Sequence, residues 1–172
     1  KQLLNFSANL NKNAKLTIHP IDISGKLIKN NYFIHLNKEG SECTFNGFSL
    51  VGKKEHIDNY IEIYHNNKHT ISRMYYKSIT KEYGKNILFA KAIIKKNSSN
   101  SEAYQKNNNL MLSPTSIIHS NPQLEIYNND VRCTHGSTTG QLDEDAIFYM
   151  RSRGITKTQA KKILISGFLK EV

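Results

Sequence analysis

The chain has 172 residues, enough to bury one substantial core, and no apolar run approaches the roughly 20 residues that a membrane-spanning helix needs. Its two cysteines, Cys43 and Cys133, lie far apart and are too few for a disulfide-rich secreted scaffold, so we expect reduced thiols, with a single bridge as the alternative. The formal net charge of +10 permits a nucleic-acid partner, but the lysines are scattered in pairs among many asparagines, and the A-rich codons of an AT-rich genome explain this excess better.

From the start of the chain to about Arg132 the sequence predicts short β-strands. Apolar and polar residues alternate there, and β-branched and aromatic residues are frequent. The predicted strands are Leu16–His19, Ile21–Ile23, Tyr32–Leu36, Ile61–Tyr64, Ile87–Ile94 and Leu124–Tyr127. Turns are predicted at Ser24–Gly25, Lys38–Gly40, Asn46–Gly47, Tyr83–Gly84 and Asn128–Asp130, and exposed loops at Ser98–Glu102 and Lys106–Asn109. Short strands without intervening helices leave three architectures open: a sandwich, a barrel or a β-solenoid.

Towards the C-terminus the hydrophobic period changes, and a first helix is predicted over residues 143–153. The acidic run Asp143–Asp145 places negative charge at its start. Arg151 and Arg153 place positive charge at its end, which matches the direction of the helix dipole. Gly154 suits the left-handed position that follows the last helical turn.

A second helix is predicted over residues 157–170. Thr156 and Gln159 have the spacing of a capping box, in which each side chain caps the other residue's backbone N–H. The apolar positions of one helix face are Ala160, Ile163, Leu164, Gly167 and Phe168. We therefore expect a β core over residues 1–141 and a small C-terminal helical domain over residues 142–172.

Cys133 and His135 are the candidate metal-ligating residues. Residues two apart on a strand point to the same face, so a thiol and an imidazole would lie side by side, and both are suitable ligands for iron or zinc. Two ligands do not complete a four-coordinate site, so a metal role requires further ligands from the fold, a partner chain or a bound cluster. Taken alone, the pair is better explained as a buried small side chain and a hydrogen-bonded strand residue. A third interpretation, a cysteine nucleophile with a histidine base, lacks an orienting group and an oxyanion hole.

Other kinds of site have no support in the sequence. There is no phosphate-binding glycine loop, no paired-carboxylate motif and no zincin motif, so we expect this chain to bind no nucleotide. His65 and His69 are four residues apart, which would place them on one face of a helix. The segment before them predicts a strand, which removes that geometry.

The segment Asn121–Asp143, continued by Phe148–Ile155, strongly resembles the SufB/SufD family, the scaffold proteins of the Suf iron–sulfur cluster assembly machinery. Upstream, the segments Cys43–Gly47, Ser72–Ile79 and Asn107–Ser113 follow in the order of the family. The resemblance therefore covers most of the chain.

Within this family the motif is similar to the SufD branch. Gly136 stands where SufB proteins typically carry a glutamate, and Asn107 aligns with a position where they have a cysteine. The resemblance implies a right-handed parallel β-helix followed by a small C-terminal α-helical domain. Family members are much longer than this chain, which begins with Lys1, so we expect a C-terminal portion with a β-helix incomplete at its N-terminus, or a reduced version.

The resemblance also implies a function without enzymatic activity. It predicts a scaffold subunit that pairs with a SufB-type subunit through the end of the β-helix, where Cys133 and His135 would share a transient iron–sulfur cluster with the partner. A SufC-type ABC ATPase would dock on the helices 143–153 and 157–170 and supply ATP hydrolysis. The expected location is the bacterial cytoplasm, or a plastid in a eukaryote, with no membrane or nucleic-acid partner. The alternative is a basic nucleic-acid-binding β protein, whose binding would depend steeply on salt.

Overall fold

The computed structural model of the protein describes residues 1–170, which form eleven β-strands followed by two helices. The strands are β1 (Gln2–Leu10), β2 (Lys15–Ile18), β3 (Ile21–Asp22), β4 (Leu27–Leu36), β5 (Glu42–Val51), β6 (His56–His65), β7 (Ile71–Thr80), β8 (Lys85–Ile94), β9 (Ser101–Met111), β10 (Ile117–Ile126) and β11 (Val131–Gln141). The helices are α1 (Glu144–Ser152) and α2 (Lys157–Lys170). Neither of these helices is long and apolar enough to cross a membrane.

The strands build a parallel β-helix. Strands β1, β4, β6, β8 and β10 lie side by side in one sheet, and β2, β5, β7, β9 and β11 form the other, with β3 also paired to β5. All of these pairings are parallel. From β4 to β11 the chain alternates between the two sheets, so each turn adds one strand, or rung, to each sheet. The predicted parallel β-helix is confirmed, and the solenoid is the correct one of the three architectures that the residues alone left open.

The core lies between the two sheets. Alternate residues of each strand point inward, and apolar inward residues such as Ile34, Ile61 and Ile63 are almost completely buried. The rings of Tyr32 and Phe45 meet edge to face across the two sheets, with their centroids 5.1 Å apart. Each inner rung lies between two neighbouring rungs of its sheet, and its inward side chains face the opposite sheet. Burial of these side chains is the main force that holds the turns together.

The interior also contains a polar layer, centred on the buried carboxylate of Asp22. Asn30 donates from Nδ2 to both carboxylate oxygens, at 3.1 Å each, and Asn59 donates to Oδ2 at 3.0 Å. Asn59 Nδ2 also lies 2.6 Å from the hydroxyl of Tyr76. Hydrogen bonds of this kind offset the cost of burying a carboxylate away from water.

The predicted turn at Asn46–Gly47 is wrong, because both residues lie inside strand β5. Gly47 is paired in register with Tyr76 on β7. A Cβ atom at position 47 would lie 2.3 Å from Cδ2 of the Tyr76 ring. The glycine therefore makes room for an inward tyrosine on the next rung and does not reverse the chain.

The predicted loop at Ser98–Glu102 is correct only for residues 98–100, which lie between β8 and β9, and the predicted loop at Lys106–Asn109 is wrong. Strand β9 includes the second segment and the end of the first. Within it, Asn107 and Asn109 point inward and are buried. Asn109 donates from Nδ2 to the carbonyl oxygen of Thr138, 3.0 Å away, so its amide groups have partners inside the β-helix.

The corners of the β-helix repeat one backbone conformation. Asn13, His69 and Asn100 have positive φ angles of 57°, 56° and 55°, and Gly40 occupies the equivalent corner with a φ of 71°. Backbone hydrogen bonds link these corners from rung to rung; for example, the His69 N–H donates to Ser99 O at 3.0 Å. Asparagine and glycine tolerate the left-handed region well, which explains why they recur at these corners.

Both predicted helices are confirmed, with ends within one residue of the predicted bounds. Asp143 is the N-cap of α1, and its Oδ1 accepts hydrogen bonds from the backbone N–H groups of Asp145 and Ala146. Thr156 and Gln159 form the predicted capping box of α2. Gly154 has the expected left-handed φ, 86°.

The predicted apolar face of α2 is only partly buried. Ala160 is buried, whereas the Ile163 side chain is 49% exposed. Towards the end of α2, the Lys77 ammonium of β7 donates to the carbonyl oxygen of Phe168, and this contact ties the helix to the outer face of the β-helix. The division into domains at residues 1–141 and 142–172 stays a prediction.

Candidate functional site

The last turn of the β-helix forms the candidate site. In the described part of the chain, β10 pairs only with β8, and β11 pairs only with β9. One edge of each strand is therefore free, and the inner faces of β10 and β11 line an open end of the solenoid. The two strands face each other across it, with Ser120 Oγ and Ser137 Oγ 2.8 Å apart.

Cys133 points toward the interior from strand β11. It packs against a small buried cluster of Ala92, Ile94 and Ala103, and is itself only partly buried. Burial raises the pKa of its thiol, although a hydrogen bond from the Ala103 backbone lowers it in part. A thiol with a raised pKa is mostly protonated at neutral pH, which argues against the nucleophile interpretation.

His135 lies two residues further along the same strand and shares its inner face with Cys133. Its register partner on β9 is Gln105, an inward side chain that is only 5% exposed. At about 3.3 Å per residue, Cys133 and His135 are about 6.6 Å apart along the strand, which allows both to contact one cluster. The structure thus brings the two predicted site residues together at the open end.

The described residues provide no third ligand at this position. No group of three or more His, Cys, Asp or Glu side chains within residues 1–170 is arranged to hold a metal ion. The site is therefore half of a coordination sphere at most, and a metal ion there requires ligands from outside this part of the chain.

Four polar residues around the open end were missed by the sequence analysis: Gln105, Asn107, Ser120 and Ser137. Asn107 Nδ2 donates to Ser120 Oγ, which in turn contacts Ser137. Residues 105–109 are all polar, so the sequence carries no alternation there that would indicate a strand. A run of three asparagines is also more typical of a loop than of a strand.

Cys43 and His65 are buried inside the β-helix. Both cysteines are free, and burial raises the pKa of the Cys43 thiol to about 12. His65 lies at the end of strand β6, as expected, and its ring nitrogens are each 2.8 Å from a hydroxyl, those of Thr70 and Ser72. Burial lowers the pKa of His65 to about 4, so its ring is neutral in the folded protein.

The fold defines a parallel β-helix protein with an open last turn and two C-terminal helices. The family model described as "SUF system FeS cluster assembly, SufBD core domain" matches residues 2–168. The chain belongs to this family, and the resemblance seen in the sequence is confirmed.

Its relatives include assembly proteins from bacteria and a chloroplast protein. The chain is 31% identical to iron–sulfur cluster assembly protein SufD of Escherichia coli (strain K12) over 154 residues, which is 90% of this chain and 36% of the relative. It is 28% identical to an iron–sulfur cluster assembly SufBD family protein of Synechocystis over 94% of this chain and 36% of the relative. It is 27% identical to the chloroplastic protein ABCI7 of Arabidopsis thaliana over 88% of this chain and 32% of the relative. The chain thus spans about a third of the length of these relatives.

Proposed function

We propose that this chain acts as a SufD-type scaffold subunit in iron–sulfur cluster assembly and not as an enzyme. The observation that carries the proposal is the family match over residues 2–168, together with Cys133 and His135 on the inner face of the open last turn. The name of the Escherichia coli relative supports the SufD-type assignment. A bacterial cytoplasm or a plastid is the proposed location, since relatives come from bacteria and a chloroplast.

The proposed partner at the open end is a SufB-type subunit. The free edges of β10 and β11 carry unpaired backbone groups, and such edges readily accept a strand from another chain. A partner docked there would cover the face that holds Cys133 and His135. It would supply the missing ligands of a transient iron–sulfur cluster, together with the sulfide of the cluster itself.

The proposed partner at the C-terminus is a SufC-type ATPase. Large apolar side chains of the two helices are exposed to solvent, including Phe148 at 72% and Tyr149 at 60%. Apolar groups of this size at one end of a protein are typical of a docking surface. The predicted segments 143–153 and 157–170 would form this surface, and the ATPase would bring the nucleotide-binding residues.

A nucleic-acid-binding function gains no support from the contacts of the lysines. Lys15 Nζ lies 2.9 Å from a carboxylate oxygen of Glu42, and Lys91 Nζ lies 2.8 Å from one of Glu125. Both pairs join neighbouring rungs on the outside of the β-helix. Part of the positive charge is therefore already opposed by carboxylates of the same chain.

Co-purification with tagged SufB-type and SufC-type subunits tests the partner assignment. We expect both subunits to be retained by the wild-type protein. A Phe148→Ser and Tyr149→Ser variant should lose the ATPase and keep the SufB-type subunit, because only the helix surface is altered. Retention of neither partner by the wild-type protein would contradict the scaffold function.

A further inference from the structure

Gln105 lies directly beneath His135, one rung further into the β-helix, on the same inward-facing side of the sheet. The two residues are register partners on the parallel strands β9 and β11. Such neighbours are about 4.8 Å apart between backbones, so their side chains are within reach of each other. Gln105 is buried, whereas His135 lies on the last rung, at the open end.

The amide group of Gln105 is oriented by a contact with the opposite sheet. Its Nε2 donates to the carbonyl oxygen of Gln123 on β10, 3.3 Å away. Its Oε1 is buried and has no hydrogen-bond partner among the described residues. Buried acceptors are almost always paired in folded proteins, so this oxygen indicates a donor that completes the site.

His135 is the donor that fits this position. A neutral imidazole carries one N–H and one nitrogen with a free lone pair. Within residues 1–170, neither ring nitrogen of His135 has a hydrogen-bond partner. An imidazole N–H therefore lies one rung above a buried oxygen that has no partner among the described residues.

We propose that Gln105 is a positioning residue for His135, which accepts the imidazole N–H at Oε1 and leaves the second ring nitrogen free to bind a metal ion. This inference rests on the proposed function, because it takes His135 as a cluster ligand. Metal-binding histidines generally donate their other N–H to an oxygen acceptor, which fixes the tautomer and the ring orientation. Gln105 belongs to the same chain, so this hydrogen bond needs no partner subunit. It forms when the exposed imidazole turns toward Oε1, since the two groups are not hydrogen-bonded in the orientation that the structure describes.

The ¹⁵N NMR shifts of the His135 ring in the intact protein, recorded at a fixed alkaline pH, test the tautomer directly. We expect a single tautomer in the wild-type protein. Gln105→Met keeps the side-chain length but removes the acceptor, and it should give a mixture of tautomers. Gln105→Glu loses the donor to Gln123 but keeps the acceptor, so it should restore one tautomer. Gln123→Met, the same change at an outward position, should leave the shifts unaltered.

Two results from this measurement would overturn the inference. A mixture of tautomers in the wild-type protein would do so without any variant. Unaltered His135 shifts in a folded Gln105→Met protein would do so as well.

Anaerobic measurement of iron(II) binding by the complex with the SufB-type partner tests the role of Gln105 separately from the role of His135 as a ligand. We expect His135→Ala to abolish binding, Gln105→Met to weaken it by about 10- to 100-fold, and Gln105→Glu to recover it. Full binding by His135→Ala would remove the proposed site itself. Loss of binding in His135→Ala with full binding in Gln105→Met would overturn the role of Gln105 alone.

Discussion

At the scale of single residues, the histidines show how strongly position decides chemistry in this β-helix. His65 is completely buried between two hydroxyl groups, and burial lowers its pKa to about 4. His119 lies exposed on β10, and His135 lies exposed at the open end of the inner face. Only the last of these has both an accessible ring and a thiol two residues away.

The buried imidazole of His65 makes the stability of the fold depend on pH. Its pKa falls from 6.5 to about 4 on folding, so the unfolded chain binds a proton between these values and the folded chain does not. Stability from this residue is therefore present above pH 6.5 and is lost as the pH falls toward 4. Between pH 7 and pH 5 the loss should be about 2 kcal/mol.

Urea unfolding at these two pH values measures this effect. The pH dependence should be weaker in His65→Gln, which has no group that titrates, and unchanged in the exposed variant His119→Gln. An equal pH dependence in His65→Gln and the wild-type protein would assign the effect to other groups.

Gly47 is required by the tyrosine on the next rung. A Cβ atom there would lie 2.3 Å from the Tyr76 ring, which is almost completely buried. We expect Gly47→Ala to lower the free energy of unfolding by about 1–3 kcal/mol through overpacking. Gly136→Ala is the matched control, because no atom lies within 4 Å of its added Cβ.

Denaturant unfolding of both glycine variants checks this prediction. Equal stability of Gly47→Ala and Gly136→Ala would mean that the ring of Tyr76 shifts without cost.

At the scale of elements, the attachment of α2 to the β-helix depends on Lys77. This side chain is only 5% exposed, its ammonium donates to the Phe168 carbonyl oxygen, and it lies 5.0 Å from the centre of the Phe168 ring. A cation near the end of a helix also interacts favourably with the helix dipole. The contact therefore combines a hydrogen bond, a dipole interaction and a cation–π interaction.

Hydrogen exchange of α2 tests this attachment. We expect Lys77→Met to speed exchange in the last turns of α2 by roughly fivefold, equivalent to about 1 kcal/mol, and to leave the strands unaltered. Lys29→Met, at an exposed lysine of β4, should have no effect on α2. Unaltered exchange in Lys77→Met would show that packing alone holds the helix.

The elements differ in how well the sequence predicted them, for physical reasons. The helices carry their signals locally: Asp143 caps α1, and Thr156 with Gln159 caps α2, so their bounds follow from short-range chemistry. Strand β9 was missed because Asn107 and Asn109 are stabilised by partners distant in sequence, Ser120 Oγ on β10 and the carbonyl oxygen of Thr138 on β11. The residues next to Asn107 and Asn109 in the sequence do not indicate where these partners are.

The same limit applies to the candidate site. The shared strand face of Cys133 and His135 follows from their spacing, since alternation on a strand is a local property. The spacing alone favoured a structural role, and the family resemblance made the two residues candidate ligands. Gln105 could not, because its relation to His135 depends on the register of β9 with β11. That register is set by the stacking of whole turns.

At the scale of the whole molecule, the β-helix ends in a turn that is not closed by described residues. Its inner face there carries a partly buried thiol and an exposed imidazole, whereas the inward side chains of the inner turns, apolar and polar alike, are buried. The proposed pairing with a second solenoid would bury the free edges and complete the coordination of a cluster. In this proposal His135 contributes a ligand to the shared site.

Anaerobic reconstitution of the complex with SufB-type and SufC-type subunits, with bound iron and sulfide as the measured quantities, decides whether His135 is a cluster ligand. We expect His135→Ala to lower cluster content by about tenfold or more, while assembly of the complex is unaffected. His119→Ala, which alters an exposed histidine on strand β10 of the opposite sheet, should keep the wild-type content. A wild-type cluster content in the His135→Ala complex would show that His135 is not a ligand of the cluster.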